Sequence, residues 1–339
     1  MVMNISGSTT TVLPIEDDSQ VGHARRVAQA LAQQLGFADV DAGRVALVAT
    51  ELATNLLKHA HHGALHLRAI PAETGSGIEL VAVDRGPGFD PGECIADGFS
   101  TGGTQGTGLG ALMRQAQVFD IHSDSRGSVV LVQVFHRHVS PPPLRFGVSQ
   151  HSLNNDPACG DVWHLALDGS RISALVIDGI GHGEDAERAG LAGAAVFATA
   201  PFIEPAASLL EMHQAMNGTR GGAAAVALYD PRVGKVRFAG VGNIGGALLT
   251  AEKSRGLASH PGIVGSQFRK AVAFDYPVET QHQVLIMYSD GLQSRWDLRD
   301  YPGLIHRHPA IVATLLHRDF CRGRDDVTVL VVALEANHD

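Results

Sequence analysis

The chain has 339 residues, 45% hydrophobic and 18% charged, the composition of packed domains rather than of a disordered polymer, and at roughly 150 residues per domain it predicts two of them. Lys+Arg 26 against Asp+Glu 35 gives a net charge of -9, which excludes a general nucleic-acid binder or a polybasic membrane-surface protein. Cys94, Cys159 and Cys321 are too scattered for a disulfide framework or a CxxC zinc site, residues 191–203 fall short of the ~20 that a spanning helix needs, and the first 20 residues carry no Lys or Arg, so no signal peptide and a cytoplasmic location are expected.

Along the chain, Ala24, Val27, Ala28, Leu31 and Leu35 recur at helical spacing and predict a first helix, capped by Ser19 and ended by Gly36. Asp41 is the expected cap of a second helix running to about residue 60. Strands are expected over 65–70 and 78–83, joined by a Gly75-Ser76-Gly77 turn. A glycine-rich loop over 98–110 then leads into a helix and two strands, the last over 127–135. The pattern is a helix layer on a mainly antiparallel sheet. Pro141-Pro142-Pro143 stiffens the chain and removes backbone donors, marking a boundary between a domain of residues 1–140 and one of residues 144–339. Beyond it, strands are expected over 162–167, 172–177, 223–229, 235–239, 247–250, 284–288 and 327–334. Helices are expected over 184–200, 206–216 and 309–320. The second domain therefore reads as two stacked sheets flanked by helices, and the chain as α+β.

Three polar motifs fall in the first domain. Glu51 and Asn55 are four residues apart and share a helix face. The Asn amide oxygen suits Mg²⁺ and the Glu carboxylate suits proton abstraction from a hydroxyl, although a solvated polar face has the same pattern. Asp84-Arg85-Gly86-Pro87-Gly88 follows a strand. Its Asp can accept the exocyclic amine of adenine while glycines admit a flat ring, and an ordinary strand-ending turn reads the same way. Gly106-Thr107-Gly108-Leu109-Gly110 opens a helix and offers free N–H groups to phosphates. It is no dinucleotide fingerprint, since no βαβ unit surrounds it.

In this order the motifs resemble the GHKL ATPases over roughly residues 20–135. Asp97-Gly98-Phe99-Ser100-Thr101, leading into the glycine loop, is most similar to the RsbT-type switch kinases of the stressosome. No phosphoacceptor His with a dimerisation helix pair precedes Glu51, which removes the sensor histidine kinase reading, and His59, His61 and His62 read as solvated or structural. The resemblance implies a Bergerat α/β sandwich that binds ATP with Mg²⁺ and passes phosphate to a Ser or Thr of a partner protein. It implies Glu51 as base, Asn55 as Mg²⁺ ligand, Asp84 as adenine reader beside Gly86 and Gly88, and Gly106, Gly108 and Gly110 as phosphate loop. Lys58 fits either a phosphate contact or a solvated helix end.

In the second domain Asp161, Asp178, Asp290 and Asp325, with Asp326 adjacent, all fall at strand ends. Each alone suits a turn; together they suit an all-oxygen box for Mg²⁺ or Mn²⁺ that activates water. The order Gly160-Asp161, Asp178-Gly179-x-Gly181-His182-Gly183, Ser289-Asp290-Gly291, Asp325-Asp326-Val327-Thr328 resembles the metal-dependent type 2C protein phosphatases of the SpoIIE class. Gly221-Gly222 and Gly240-Val241-Gly242-Asn243 fit that class's inner turns, and Ser294-Arg295-Trp296-Asp297 through Gly323-Arg324-Asp325 is similar to the RsbX type. The resemblance implies metal ligation by Asp161, Asp178, the Gly179 carbonyl, Asp290 and Asp325. Asp326 stands where many relatives carry Asn, and His182 sits inside a glycine turn, where it fits shaping that turn before it fits proton transfer. The phosphate-binding Arg of eukaryotic relatives lacks a counterpart near the start of this domain.

The expectation is a bacterial two-headed switch, a serine kinase fused to a serine phosphatase. Both heads would act on STAS-type partner proteins, anti-sigma antagonists or stressosome components. The rival is a first domain that binds ATP without transfer, to sequester a partner or gate the phosphatase. Retention of Glu51 favours catalysis, because a pure binder needs no base.

Overall fold

The structure is a computed structural model and describes residues 2–7, 9–60, 63–72, 74–92, 108–137, 139–279 and 282–334. It forms two compact units, Thr10–Pro143 and a second made of Met1–Thr9 with Leu144–Asp339. Strand β1 (Met3–Ile5) belongs to the second unit; the first unit begins with β2 (Thr11–Ile15).

In the first unit β2 is followed by helices α1 (Asp18–Gln34) and α2 (Asp39–His59), strands β3 (Gly63–Pro71) and β4 (Ser76–Asp84), helix α3 (Gly108–Gln115) and strands β5 (Val118–Asp124) and β6 (Gly127–Phe135). The sheet order is β2-β3-β4-β6-β5, with every described pairing antiparallel. Strand alternation puts Leu65, Leu67, Ile78, Leu80, Val130 and Val132 into one core with Ala28, Ala32, Val45, Ala49 and Leu52 of the helices. The helix caps differ from expectation. Asp17, not Ser19, caps α1: its carboxylate accepts from the N–H groups of Ser19 and Gln20, and Gln20 closes a capping box. Asp41 does not cap α2, whose N-cap is Ala38. It lies buried in the first turn and holds Arg137 at 3.2 Å, because two guanidinium groups, Arg44 and Arg137, flank it.

The second unit continues with β7 (Phe146–His151), β8 (Asp161–Asp168), β9 (Arg171–Gly179), helices α4 (Glu184–Thr199) and α5 (Pro205–Ala215), strands β10 (Gly222–Asp230), β11 (Lys235–Val241), β12 (Gly245–Leu249), β13 (Ser254–Gly256), β14 (Phe274–Pro277) and β15 (Gln283–Tyr288), helix α6 (Pro309–Phe320) and β16 (Val327–Leu334). One sheet runs β1-β8-β9-β10-β11-β14 and the other β13-β12-β15-β16-β7. Ile5, Trp163, Leu165, Val176 and Phe238 of the first sheet share a core with Val148, Leu248, Leu285, Met287 and Leu330 of the second. Helices α4 and α5 cover the other side of the first sheet through Ala189, Phe197, Leu209 and Met212, which pack on Leu175, Ile177 and Val226. Helix α6 lies on β7 and β16.

Strand β1 changes the expected division at residue 140. Met3, Asn4 and Ile5 pair antiparallel with Leu167, Ala166 and Leu165 of β8, and Ile5 is 1% exposed in the sandwich core. The first unit is thus spliced into the second between β1 and β7. Alternating apolar positions at 3 and 5 and a sheet edge left open by β8 explain the pairing. Burial of Ile5 alone contributes about 1.5–3 kcal/mol. Deleting residues 2–9 is therefore expected to lower the melting temperature of the second unit by about 5–10 °C, read by differential scanning calorimetry. An unmoved transition would show the strand to be dispensable.

A second stability test follows from His164 on β8. Its ring is 7% exposed, faces Phe197 edge-on and sits 3.1 Å from Asn4 Oδ1. Burial depresses its pKa to about 4, against 6.5 for a free imidazole. The folded state therefore refuses a proton that the unfolded chain accepts. Its contribution is present above 6.5 and is lost as pH falls through about 4, worth about 3 kcal/mol in all. In a pH 7 to pH 4.5 comparison, His164→Gln is expected to lose less melting temperature than the parent.

Candidate functional sites

In the first unit the predicted residues gather at one end of α2. Glu51 and Asn55 are both half-buried, on a helix whose Leu52, Ala53 and Leu56 anchor it to the core. Asp84 ends β4, opposite Gly63 of β3. Its Oδ1 accepts from the Gly86 N–H at 2.7 Å and the Ser128 N–H at 3.2 Å, which fixes the carboxylate in the turn. A side chain at Gly86 would stand 3.3 Å from the His59 carbonyl oxygen. The Asp84 turn is therefore seated against the end of α2, one turn beyond Asn55. Gly88 has φ +72, and a Cβ there would strike the Asp124 carbonyl oxygen, so only glycine lets the turn close on the β5–β6 hairpin. Lys58 and His59 are exposed in the last turn of α2. Gly108 and Gly110 form the first turn of α3, whose Leu112 reaches the core. Gly106, the Asp97–Thr101 run and His61 and His62 lie outside the described residues.

These groups suit a magnesium nucleotide. A carboxylate locked in a glycine turn can read an amine, a hard amide oxygen and a carboxylate project from the adjoining helix face, and the α3 N-terminus offers N–H groups.

In the second unit the aspartates converge at the ends of β8, β9, β15 and β16. Asp161 and Asp178 are register partners across β8 and β9. Asp161 is 2% exposed, and its Oδ2 accepts from the Ser289 hydroxyl at 2.6 Å. Burial first, then the Asp178 charge, pushes its carboxyl well above the usual range. Asp178 is pushed up to about 7 by burial and by the carboxylates of Asp290 and Asp325. Asp325 is raised as well, mainly by burial, and His182, exposed in its glycine turn, partly offsets this. Gly179, which follows Asp178, cannot carry a side chain: a Cβ would enter the Ala186 carbonyl of α4. The start of α4 is thereby held against the ligand strand.

Asp326 has a different task from Asp325. Its Oδ1 accepts from the Leu153 N–H and its Oδ2 from the Gly160 N–H, each at 2.6 Å, and it is 2% exposed. Both oxygens are used to staple the loop before β8 to the start of β16. Asp325 stays half-buried, facing the cluster.

Two further polar residues complete the site. Asn243 donates from Nδ2 to Asp290 Oδ2 at 2.6 Å, and Ser289 accepts from the Thr328 N–H at 2.9 Å while donating to Asp161. Their signals were the Gly-Val-Gly-Asn turn and the Ser that opens the Ser-Asp-Gly turn. Among the described residues no group of three or more His, Cys, Asp or Glu side chains is arranged to hold a metal ion. The donor chemistry nonetheless fits a hard divalent cation: the carboxylates of Asp161, Asp178, Asp290 and Asp325 crowd together, and burial with their mutual repulsion raises the Asp178 carboxyl to about 7.

The profile of the histidine kinase-like ATPase domain matches residues 14–134. The serine/threonine-protein kinase RsbT of Bacillus subtilis (strain 168) is 34% identical over 101 residues, 30% of this chain and 76% of that protein. Among solved structures, one from work on the bacterial stressosome, a modular system adapted to control secondary messenger signaling, is 26% identical with TM-score 0.53, covering 56% of this chain and all of that one. RsbX in complex with magnesium is 20% identical with TM-score 0.51, over 57% of this chain and 96% of its own. The PP2C phosphatase domain of Bacillus subtilis SpoIIE, with a fragment of its regulatory domain, is 15% identical with TM-score 0.50, over 95% of both chains. The last two share the fold of the second unit, a PP2C-like sandwich. Through its first unit the chain belongs to the histidine kinase-like ATPases and is a relative of the serine/threonine kinase RsbT.

Proposed function

We propose that the chain is a partner-switching regulator whose first unit phosphorylates, and whose second unit dephosphorylates, a Ser or Thr of a STAS-domain protein in the cytoplasm. The observation that carries it is the pairing, in one chain, of an RsbT-like unit bearing Glu51, Asn55 and the Asp84 turn with a PP2C-like sandwich bearing the aspartate cluster. In the first, Asn55 would hold the magnesium of ATP, Asp84 with Gly86 and Gly88 would receive adenine, and Gly106, Gly108 and Gly110 would contact the phosphates. Glu51 takes the proton of the attacking hydroxyl. In the second, Asp161, Asp178, the Gly179 carbonyl, Asp290 and Asp325 would hold Mg²⁺ or Mn²⁺. A divalent ion bound there would supply an activated water. Asn243 orients Asp290, Ser289 fixes Asp161, and Asp326 keeps the loops in place.

No described helix is long and apolar enough to cross a membrane. The test is phosphate on a STAS-domain protein encoded beside this chain, followed over time with ATP and then after ATP removal. Appearance followed by loss supports the reading. ATP binding with no transfer to any such protein would favour the sequestering alternative.

A further inference from the structure

A cleft of about 600 Å³ opens beside Asp290 and Asp325, and three arginines, Arg295, Arg322 and Arg324, line it. All three are exposed. Several other arginines of this unit are spent on carboxylates: Arg220 on Asp185 at 3.0 Å, Arg232 on Asp230 at 2.8 Å, Arg237 on Asp275 at 2.7 Å, Arg318 on Asp319 at 2.8 Å. Among the described residues the guanidinium groups of Arg295, Arg322 and Arg324 have no such partner. In a chain of net charge -9, three guanidinium groups beside two carboxylates on the wall of one cleft are a local excess of positive charge.

The backbone holds them together. Leu292 and Cys321 form an isolated antiparallel bridge. The Gln293 N–H donates to the Phe320 carbonyl at 2.9 Å and the Arg322 N–H to the Gly291 carbonyl at 2.8 Å. The segment after Asp290, which carries Arg295, is therefore zipped to the segment before Asp325, which carries Arg322 and Arg324. The cations are positioned by the same two loops that present the two aspartates.

Guanidinium is the donor best matched to a phosphate monoester, which is dianionic at neutral pH and accepts paired N–H bonds. We infer that Arg295, Arg322 and Arg324 form the subsite that receives the phosphate group of the second unit's substrate. This rests on the phosphatase reading above and supplies the cationic phosphate contact for which the start of this unit has no residue. The shared chemistry is a phosphate monoester dianion, whether on a seryl side chain or on a small molecule.

The test uses the full chain and the double variant Arg322→Ala/Arg324→Ala, with Arg322→Lys/Arg324→Lys as the conservative control. Two readouts are taken. The first is KM for p-nitrophenyl phosphate and for a phosphoserine peptide, with added Mn²⁺. The second is the Kd of inorganic phosphate, followed by the fluorescence of Trp296, which adjoins Arg295; the other tryptophan, Trp163, is in the sandwich core. The alanine pair is expected to raise both KM values and the Kd about tenfold or more, with the lysine pair recovering part of the loss. Both arginines are exposed, so the melting temperature should hold. An active parent whose KM and Kd are unchanged in the alanine pair overturns the subsite. A rise for the peptide alone also overturns it, since the arginines would then contact the protein and not the phosphate. An inactive parent that still binds phosphate, and loses it in the alanine pair, would sink the phosphatase reading and leave the subsite standing.

Discussion

Replacing Glu51 with alanine is expected to slow transfer of the γ-phosphate from ATP to the partner by about 10²–10⁴-fold, the usual contribution of a positioned general base. ATP affinity should stay within a few-fold of the parent, because Asn55, the Asp84 turn and the start of α3 are untouched. The helix itself should survive, since Glu51 is half-buried and alanine is the better helix former. The measurement is phosphate on the STAS-domain partner in single turnover, with nucleotide binding followed separately by calorimetry. Asn55→Ala should reverse the pattern, weakening Mg-ATP binding first. Equal transfer rates in parent and Glu51→Ala would remove the base assignment. If neither protein transfers phosphate while both bind ATP, the sequestering alternative is preferred.

Asp178→Asn is expected to reduce phosphate hydrolysis by at least about 10–100-fold, the loss seen when even an outer partner of a metal ligand is changed. Asparagine retains the shape but removes the charge that a divalent ion needs. The same substitution should make the metal-free protein more stable, which separates loss of chemistry from loss of fold. The folded Asp178 carboxyl titrates at about 7, above the 3.8 of a free aspartate. Its contribution to stability is fully present below about 4 and is lost as pH rises through about 7. In excess chelator at pH 8, Asp178→Asn should therefore melt above the parent, and the gap should close toward pH 4. Activity undiminished in the variant, or surviving in chelator, would sink the metal assignment; a lower melting temperature at pH 8 would contradict the repulsive cluster.

The two test proteins also report on each other. Glu51 and Asn55 belong to the first unit and the aspartates to the second. With ATP present, Asp178→Asn should let phosphate accumulate on the partner, whereas Glu51→Ala should leave it bare.

Much of the architecture was legible from periodicity. Apolar runs located β3, β4, β6, β8, β9, β10, β11, β12, β15 and β16, and apolar residues at helical spacing located α1, because each buries apolar side chains in a core, on one face or, as in β6, on both. The candidate ligands were legible for a related reason. A carboxylate at a strand end beside glycine is a local pattern, and Asp178-Gly179 and Ser289-Asp290-Gly291 carry it in adjacent residues. What stayed hidden depends on distant partners. Strands β1, β13 and β14 are three or four residues long and exist only because an edge of β8, β12 or β11 stands open beside them. That Met3–Ile5 serves the second unit could not follow from its place before the first. The same holds for Asp41 and Asp326, which look like a cap and a ligand in sequence. They become clamps only because folding brings Arg137 to the one and the N–H groups of Leu153 and Gly160 to the other. A local motif states which chemistry a residue can perform; burial and the donors that tertiary packing delivers decide which of those it performs.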